Sequence, residues 1–399
     1  MDSSPEGLGK HHHQVSLTVL REAFRRRFPD SGEVIAVRAP GRVNLIGEHT
    51  DYNDGYVMPV AIDRSVYLLA SSRRDGNVHI YAANFGDFVS FRLNRIRCDS
   101  IYSWSNYERG IAQYLQDSGH RLNGADMLVW STIPVGGGLG SSAAVEMATV
   151  WAFRLLNDLP ISRIEAAKLC QRVENEFVGV RCGIMDQFAS ALGRKGKVLF
   201  LDCRTLEYRY IALGMDELRI VICNTNLPRT LASSAYNERR EECQEGLRQF
   251  QRFLPEVRAL RDVSADDFKK YKKRLEPKVA QRCNHVIFEN RRVLIGADLL
   301  QRGDVTGFGM LMGHSHSSLR DNYEVSCRDL DLLVEIAKSV DGVLGARMTG
   351  AGFGGCTVNL VRTEAVAHLK ERVLGLYPEQ TGRRPEVYVC QAEGGVRKL

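Results

Sequence analysis

The pattern of hydrophobic and polar positions changes near the middle of the chain. In the first half, short apolar or alternating runs bounded by Gly, Asn and Asp predict strands, and longer runs with one apolar face predict helices. After a short amphipathic helix that follows residue 14, the predicted strands are residues 34–38, 56–62, 65–70, 78–82, 88–93 and 125–130, and the predicted helices are residues 142–156 and 162–177. This order predicts an α+β unit.

The second half of the chain is dominated by long, charged helical patterns. Its predicted strands are residues 197–202, 218–224, 356–361 and 386–390, and its predicted helices are residues 235–250, 279–300 and 326–339. We place a domain boundary near residue 205, where the composition shifts, within about ten residues. The chain then divides into a disordered leader of residues 1–14, an N-terminal domain of residues 15–205 and a C-terminal domain of residues 206–399.

Length and composition favour a globular protein of two domains. With 399 residues, of which 44% are hydrophobic and 26% charged, the chain can bury a substantial core. No apolar run approaches the roughly 18 residues that span a bilayer, and the N-terminus lacks the apolar centre of a secretion signal. We therefore expect a cytoplasmic protein with no membrane partner.

Charge and cysteine content exclude further classes of function. The net charge of +6 suits an anionic substrate, but basic residues are mostly interleaved with acidic ones, so nucleic-acid binding is not indicated. The ten cysteines are scattered without a Cys-x-x-Cys pair, which argues against a disulfide scaffold or a zinc knuckle. The run His11–His13 has no neighbours of ligand type, so no metal site is expected there, and its origin, natural or a cloning remnant, stays open.

Residues 39–56 form the most informative segment of the chain. Arg42, Glu48, His49 and two aspartates, Asp51 among them, lie between turn glycines within this short stretch. Such a set of donors and acceptors suits the recognition of a polyol, whereas a simple connection would seldom need it. The alternative is a charged, turn-rich surface loop.

A second segment, residues 133–144, follows a predicted strand and leads into an Ala-rich predicted helix. Its glycines allow backbone amides to approach a ligand, and the free amides and dipole of the first helical turn favour an anion. The phosphate cradle predicted here comprises Gly136, Gly137, Gly138, Leu139, Gly140, Ser141 and Ser142. It lacks the Lys of the ordinary nucleotide loop, and taken alone it could also be a tight turn with serine N-caps.

Asp186 follows Gly183 and has apolar neighbours in the sequence. Burying an ionised carboxylate in such a setting is costly unless a cation pairs with it, and Arg42 is the candidate partner. The alternative role for Asp186 is that of a helix cap. Residues 347–356 form a further glycine-rich turn ahead of a predicted strand, which by itself would be an ordinary β-turn.

Together and in this order, these segments resemble the motifs of galactokinases, which belong with homoserine, mevalonate and phosphomevalonate kinases to a superfamily of small-molecule kinases. The resemblance extends from about residue 16 to the C-terminus. It implies a two-domain α+β fold, with an N-terminal ribosomal-protein-S5-like domain for nucleotide and sugar, a C-terminal ferredoxin-like domain, and the active site in the cleft between them. It also implies the transfer of the γ-phosphate of ATP, with Mg²⁺, to the C1 hydroxyl of D-galactose, which yields galactose 1-phosphate and ADP.

The resemblance implies catalytic and metal-binding roles for four residues. Asp186 would orient the C1 hydroxyl and accept its proton, and Arg42 would keep Asp186 ionised and contact the phosphoryl oxygens. Ser142 and Glu174 would hold Mg²⁺, and Ser141 would help Ser142 to hold phosphate. An exposed helical acid is the alternative for Glu174.

The resemblance also implies the substrate contacts. Those to the sugar are Glu48, His49, Asp51, the backbone of Gly183 and Tyr236, and those that flank adenine are Trp104 and Tyr107. Plain core packing is the alternative for the two aromatic residues. His314 and His316 resemble a helix start in the second domain, with a structural role.

Two positions depart from the galactokinase pattern, and three readings of function stay open. Gly140 stands where galactokinases often carry Ser, and Arg229 or Thr230 stands where they often carry His, which puts the sugar contacts in question. A kinase for N-acetylgalactosamine or arabinose, or a non-catalytic galactose sensor, are the alternatives to a galactokinase. The intact run Ser141-Ser142-Ala143 disfavours a sensor. We expect a monomer whose partners are D-galactose and ATP, with no nucleic acid.

Overall fold

The structure is a computed structural model that describes residues 16–134, 136–227 and 232–399. The predicted leader, the run His11–His13 and the positions Arg229 and Thr230 lie outside the described residues. The helices are α1 (Leu17–Arg27), α2 (Asn106–Asp117), α3 (Ser141–Leu156), α4 (Arg163–Arg172), α5 (Met185–Leu192), α6 (Ala232–Gln251), α7 (Ala265–Tyr271), α8 (Pro277–Gln301), α9 (Val305–Asp321), α10 (Arg328–Lys338) and α11 (Val366–Thr381). The strands are β1 (Ile35–Asn44), β2 (Tyr56–Val57), β3 (Pro59–Arg73), β4 (Asn77–Ala82), β5 (Asp87–Arg92), β6 (Gly124–Ser131), β7 (Lys197–Asp202), β8 (Tyr208–Ala212), β9 (Leu218–Asn224), β10 (Val343–Thr349), β11 (Cys356–Arg362), β12 (Glu386–Cys390) and β13 (Arg397–Lys398).

The largest sheet has six strands in the order β13-β1-β3-β6-β4-β5. Neighbouring strands within this sheet are antiparallel, except that β4 and β6 run parallel to each other. Strand β1 is buried along its whole length because both faces of the sheet are covered. On one face α3 and α5 pack against β1 and β3, and on the other Leu20 and Phe24 of α1 join the core cluster of Leu69 and Leu128.

A second sheet, in the order β10-β11-β9-β12, is antiparallel throughout. Helices α10 and α11 bury Leu333, Val334 and Leu369 against it, and α9 packs on β10. Helices α6, α7 and α8 form a separate apolar cluster around Phe250 and Phe268. None of the described helices combines the length and the apolar character needed to cross a membrane.

Two short strands from beyond residue 205, β8 and β13, pair with strands that precede it. The sequence predicts the domain boundary near residue 205. This residue lies in the turn between β7 and β8, which form a hairpin that β2 extends to a three-stranded sheet. The last strand, β13, returns to the first sheet, where it pairs with β1 through Val37 and Lys398. The division at residue 205 therefore stays a prediction, and the β7–β8 and β1–β13 pairings cross it.

Local pattern and structure differ where packing decides. The two predicted strands at 56–62 and 65–70 are the short β2 and a single long β3, because β3 is paired along both edges. The predicted helix 162–177 is α4 followed by a π-helical turn, Val173–Val178. His316 lies buried well inside α9 and not at a helix start. Its ring nitrogen Nε2 is 3.2 Å from Asp331 Oδ1. That expectation for His314 and His316 was wrong because α9 begins at Val305.

Candidate active site

A cleft of about 380 Å³ opens between the glycine loop, the loop after β1, the first turn of α5 and α6. Most of the residues predicted for the site line it. They are Arg42, Glu48, His49, Asp51, Tyr107, Gly136, Gly138, Leu139, Gly140, Ser141, Ser142, Glu174, Gly183, Asp186 and Tyr236. Gly137 and Trp104 are not among the lining residues.

Arg42 and Asp186 form an ion pair at the centre of this cleft. Arg42 follows an irregularity in the pairing of β1 with β3, and Asp186 lies in the first turn of α5. The Arg42 Nε donates to Asp186 Oδ1 at 2.7 Å, and Nη2 donates to Oδ2, so the pair is bidentate. Residues 144 positions apart in the sequence thus meet side by side.

The ion pair is attached to the glycine loop through Arg42. Its backbone N–H donates to Leu139 O at 2.8 Å, and its Nη1 donates to Gly138 O at 2.6 Å. A Cβ on Gly41 would stand 2.7 Å from that Leu139 oxygen, so only glycine permits this approach of strand and loop. Burial alone lowers the pKa of Arg42, but the carboxylates of Asp186 and Glu48 raise the net pKa above its ordinary value.

Glu48 connects the loop after β1 with the turn between β10 and β11. Its Oε1 accepts hydrogen bonds from Thr349 Oγ1 at 2.9 Å and from the backbone N–H of Gly350 at 2.6 Å. Its Oε2 accepts one from Asn44 Nδ2 at 2.9 Å. The first and third glycine-rich segments predicted from the sequence are therefore joined by one buried carboxylate.

Asp51 lies directly against Gly183. A Cβ at Gly183 would stand 2.0 Å from Asp51 Oδ2, which only glycine avoids. Burial, followed by the nearby negative charges of Asp186 and Glu48, raises the pKa of Asp51 to about 7. The cleft thus holds a carboxyl group that titrates near neutrality beside the Arg42–Asp186 pair.

An aromatic group surrounds His49. The His49 Nδ1 lies 2.8 Å from the hydroxyl of Tyr52, which in turn lies 2.8 Å from the hydroxyl of Tyr323. The ring of Tyr236 approaches those of His49 and Tyr52, with centroid distances of 5.7 Å and 5.1 Å. Burial, and then the neighbouring His285 and Arg347, lowers the pKa of His49 to about 3, so the imidazole is neutral. The ring can therefore exchange hydrogen bonds with a ligand without adding charge.

The glycine loop presents its backbone to the cleft. Gly136, Gly138 and Gly140 have φ values of +72°, +74° and +72°, a region that suits glycine. Gly140 directly precedes α3, whose first residues Ser141 and Ser142 line the cleft. The free amides of a helix start and its dipole favour a negative group at this point.

Glu174 lies in the π-helical turn and is buried beside the glycine loop. Burial, and then the charge of Asp186, raises its pKa to about 7. Gln187 Nε2 donates to Glu174 Oε2 at 2.8 Å, and the thiol of Cys182 lies 3.4 Å from the same oxygen. Among the described residues no cation pairs with this buried carboxyl group, so its hydrogen-bonded oxygens fit the approach of a metal ion.

The ligand atoms around Glu174 suit one kind of metal ion. Within the described ranges, no group of three or more His, Cys, Asp or Glu side chains is arranged to hold an ion. The Glu174 carboxylate and the Ser142 hydroxyl, which hydrogen-bond to each other, provide hard oxygen ligands only. Such a partial set fits Mg²⁺, which keeps waters and uses substrate phosphates as further ligands.

The two predicted adenine contacts are placed differently. Tyr107 lines the cleft, and burial together with the charges of Glu174 and Glu146 raises its pKa. Trp104 packs against the core of the N-terminal sheet. Core packing is thus the observed environment of Trp104, while Tyr107 keeps access to a ligand.

Sequence reasoning assigned no individual role to several residues that also line the cleft. They are Tyr52, Cys182 and Asn237, together with Gly350 and Ala351, which it named only as part of the third glycine-rich segment. Tyr52 and Cys182 lie next to predicted residues in the chain, so proximity was a usable signal for them. Gly350 and Ala351 belong to the third motif, but only the hydrogen bond from Gly350 to Glu48 brings that turn into the cleft.

Comparison with known proteins agrees with this geometry. The family model described as the galactokinase galactose-binding signature matches residues 22–72. The models described as the GHMP kinases N terminal domain and GHMP kinases C terminal match residues 106–194 and 297–378. A curated galactokinase of Roseiflexus sp. (strain RS-1) is 48% identical over 380 residues, which are 95% of this chain and 96% of that protein. This chain belongs to the galactokinase family.

Solved structures extend the galactokinase comparison to the fold. The crystal structure of Lactococcus lactis galactokinase complexed with galactose matches with a TM-score of 0.93 and 39% identity, and the match covers 96% of this chain and 100% of that one. The mevalonate kinase of Methanococcus jannaschii, at 19% identity and a TM-score of 0.67 over 91% of this chain and 99% of its own, shares the fold. The predicted family and the predicted two-domain α+β fold are both confirmed.

Proposed function

We propose that this protein has galactokinase activity: it transfers the γ-phosphoryl group of ATP to the C1 hydroxyl of D-galactose and releases galactose 1-phosphate and ADP. The observation that carries the proposal is the bidentate Arg42–Asp186 pair, held where the glycine loop meets the acid-rich loop after β1. Membership of the galactokinase family supports the choice of substrate.

Asp186 is the residue we propose to act on the sugar. Its carboxylate accepts a hydrogen bond from the C1 hydroxyl, aligns that oxygen with the γ-phosphorus, and takes the proton as the new O–P bond forms and the bond to ADP breaks. Phosphoryl transfer has a loose transition state, so positioning and charge neutralisation are the main demands on the protein. Arg42 meets the need for charge neutralisation, because its guanidinium pairs with the Asp186 carboxylate and lies beside the loop that would hold the phosphates.

We propose that the amides of the glycine loop and the hydroxyls of Ser141 and Ser142 bind the nucleotide phosphates. Glu174 and Ser142 would hold Mg²⁺, which neutralises charge on the β- and γ-phosphates when bound. The raised pKa of Glu174 supports this assignment, since a cation would compensate the burial of its carboxylate. Tyr107 is the proposed aromatic contact of adenine, and Trp104 is proposed to act indirectly, by packing beneath that region.

For the sugar we propose contacts with Glu48, His49, Asp51, Tyr236 and the backbone of Gly183. Most of these groups are buried and held by protein hydrogen bonds or ring contacts, so their directions are set before a ligand binds. A hydroxyl in the wrong configuration would leave a buried acceptor unpaired at a cost of about 1–3 kcal/mol. We therefore propose that the pocket reads the axial C4 hydroxyl. We also propose that the protein acts in the cytoplasm as a monomer.

A panel of sugars tests the proposed function. The protein is incubated with MgATP and one sugar at a time, namely D-galactose, its C4 epimer D-glucose, N-acetylgalactosamine or arabinose, and the phosphorylated product is identified by ³¹P NMR. We expect galactose 1-phosphate as the product, with glucose used at least about 10²-fold less efficiently.

Two outcomes would contradict the proposal. Preferred turnover of N-acetylgalactosamine or arabinose would indicate a related sugar kinase. Galactose binding by calorimetry without any phosphorylated product would indicate a sensor instead.

A further inference from the structure

A second cleft, of about 370 Å³, lies at the C-terminal end of α5, away from the Asp186 end of that helix. Its volume falls in the range of about 300–1,000 Å³ that small-molecule sites occupy. Four cationic side chains line it, those of Arg163, Arg194, Lys195 and Arg397. Among the lining residues that the structure describes, no side chain is acidic.

Three of these cations have no carboxylate partner in the described parts of the chain. Arg163, Arg194 and Lys195 take part in none of the ion pairs there, and the charged neighbour of the half-buried Arg163 is another arginine, Arg154. Arg397 approaches Glu393 at 3.4 Å. That carboxylate also pairs with Arg38 at 2.9 Å, so it does not neutralise the cleft.

The cationic side chains are held by contacts other than ion pairs. Arg163 donates from Nη1 to Ala191 O at 2.6 Å, and its guanidinium stacks 5.0 Å from the ring centroid of Trp151. Arg194 stacks in the same way on Tyr210, at 5.4 Å. These contacts leave most guanidinium N–H groups available, and the planar fork of Arg suits the oxygens of a phosphate.

The floor of the cleft is closed by the C-terminal tail. Gly395 N donates to Gly193 O at 2.7 Å, and Val396 N donates to Ser190 O at 2.8 Å. A Cβ on Gly395 would stand 2.3 Å from Ala191 O, so the tail lies as close to α5 as glycine allows. The hydroxyl of Tyr210 donates to Leu192 O at 2.7 Å and so covers another carbonyl at this helix end. Because several carbonyls at this end are hydrogen-bonded, the negative end of the helix dipole is partly masked from the cleft.

We propose that this second cleft binds a phosphate dianion, either free or as the phosphate group of a small metabolite. A preformed cavity, an excess of positive charge and side chains suited to phosphate oxygens favour such a ligand. Helix α5 spans eight residues, roughly 12 Å, so the second cleft and the proposed catalytic centre lie at opposite ends of one helix. The two sites can therefore be occupied together, and the proposal does not depend on the function proposed for the first.

Calorimetric titration tests this site on the full-length protein. Inorganic phosphate, or glucose 6-phosphate in a second arm, is titrated into protein saturated with galactose and a non-hydrolysable ATP analogue, so that the glycine loop is blocked. The variant Arg194→Ala/Lys195→Ala removes two exposed cations of the cleft. The control Lys272→Ala/Lys273→Ala removes two exposed cations elsewhere and makes the same change in net charge.

We expect the wild type and the control to bind phosphate equally, and the Arg194→Ala/Lys195→Ala variant to bind at least ten-fold more weakly. Tighter binding of glucose 6-phosphate than of phosphate identifies a metabolite as the ligand, and the reverse identifies the free anion. If this variant fails to fold, the single charge reversal Lys195→Glu is measured in its place with the same expectation. Absence of phosphate binding to the wild type whose first cleft is filled, or equal binding by variant and control, overturns the proposal.

Discussion

The two walls of the first cleft use different parts of the chain. The acidic wall, made of Glu48, His49, Asp51 and Tyr236, presents side chains whose hydrogen bonds and ring contacts hold them in place. The glycine wall, residues 136–142, presents backbone in left-handed conformations and the start of α3. Side-chain oxygens can distinguish one hydroxyl configuration from another, whereas backbone amides bind any phosphate of suitable shape.

This difference shows that sugar specificity and phosphate binding make different demands on the two walls. A sugar pocket must be rigid to tell epimers apart, and Glu48 meets this demand by joining two distant segments. A phosphate cradle must bring several amides close together, which requires missing Cβ atoms rather than fixed side chains. The Arg42–Asp186 pair is linked to both walls, because Arg42 donates a hydrogen bond to the glycine loop and the charge of Asp186 raises the pKa of Asp51.

The largest effect is expected from Asp186→Asn. The change keeps the shape but removes the charge and the proton acceptor, so we expect turnover to fall by about 10²–10⁴-fold. Galactose affinity by calorimetry should stay within a few-fold of the wild type, because the acidic wall is untouched. Near-normal turnover of this variant would show that Asp186 has no catalytic role.

A matched pair of glycine substitutions separates the two walls. In Gly183→Ala the new Cβ would meet Asp51 Oδ2 at 2.0 Å, so Asp51 must move, and we expect the KM for galactose to rise about 10–100-fold. In Gly136→Ala nothing lies within 4 Å of the new Cβ, but its φ of +72° costs about 1–2 kcal/mol of stability. Steady-state kinetics measure the KM for galactose of each variant, and thermal unfolding measures its stability. A larger rise of the galactose KM in Gly136→Ala than in Gly183→Ala would contradict this division of labour.

The smallest effect concerns the pH dependence of stability. The pKa of Asp51 is raised from an ordinary 3.8 to about 7 in the folded protein, so between these values the folded state binds more protons than the unfolded state. The contribution of the Asp51 carboxyl group to the free energy of unfolding is complete below about pH 4 and is lost as the pH rises toward 7. Relative to the wild type, Asp51→Asn should therefore gain stability steadily over this interval in urea unfolding of the ligand-free protein.

Glu108→Gln is the control for that measurement. Burial raises the pKa of Glu108 to about 7 as well, yet its side chain is not among those that line the cleft. Its variant should show the same trend with pH but keep the wild-type affinity for galactose, unlike Asp51→Asn. A stability difference between Asp51→Asn and the wild type that does not change from pH 4 to pH 7 would contradict the raised pKa.

Several elements were predictable from local pattern alone. The strands predicted at 197–202, 218–224 and 386–390 coincide with β7, β9 and β12, because short β-branched runs between turn residues have few alternatives. The glycine loop was recognisable for a similar reason, since a strand, a glycine run and a helix follow one another directly. By contrast the start of α9 was placed too late, because its Gly-, His- and Ser-rich sequence has weak helical preference and is stabilised by packing on α8 and β10.

The sequence by itself determined the family, the α+β class and the residue types available for chemistry, because local pattern and motif order carry that information. Only the tertiary structure decided which residues meet. Glu48 reaches Thr349 across 301 positions, and β13 pairs with β1 from the opposite end of the chain. It also decided that Asp51 titrates near neutrality and that the cations around Arg163 share one cleft. Burial and long-range contacts arise only when distant segments pack. The spacing of residues along the chain predicts helices and strands but does not show which distant residues meet.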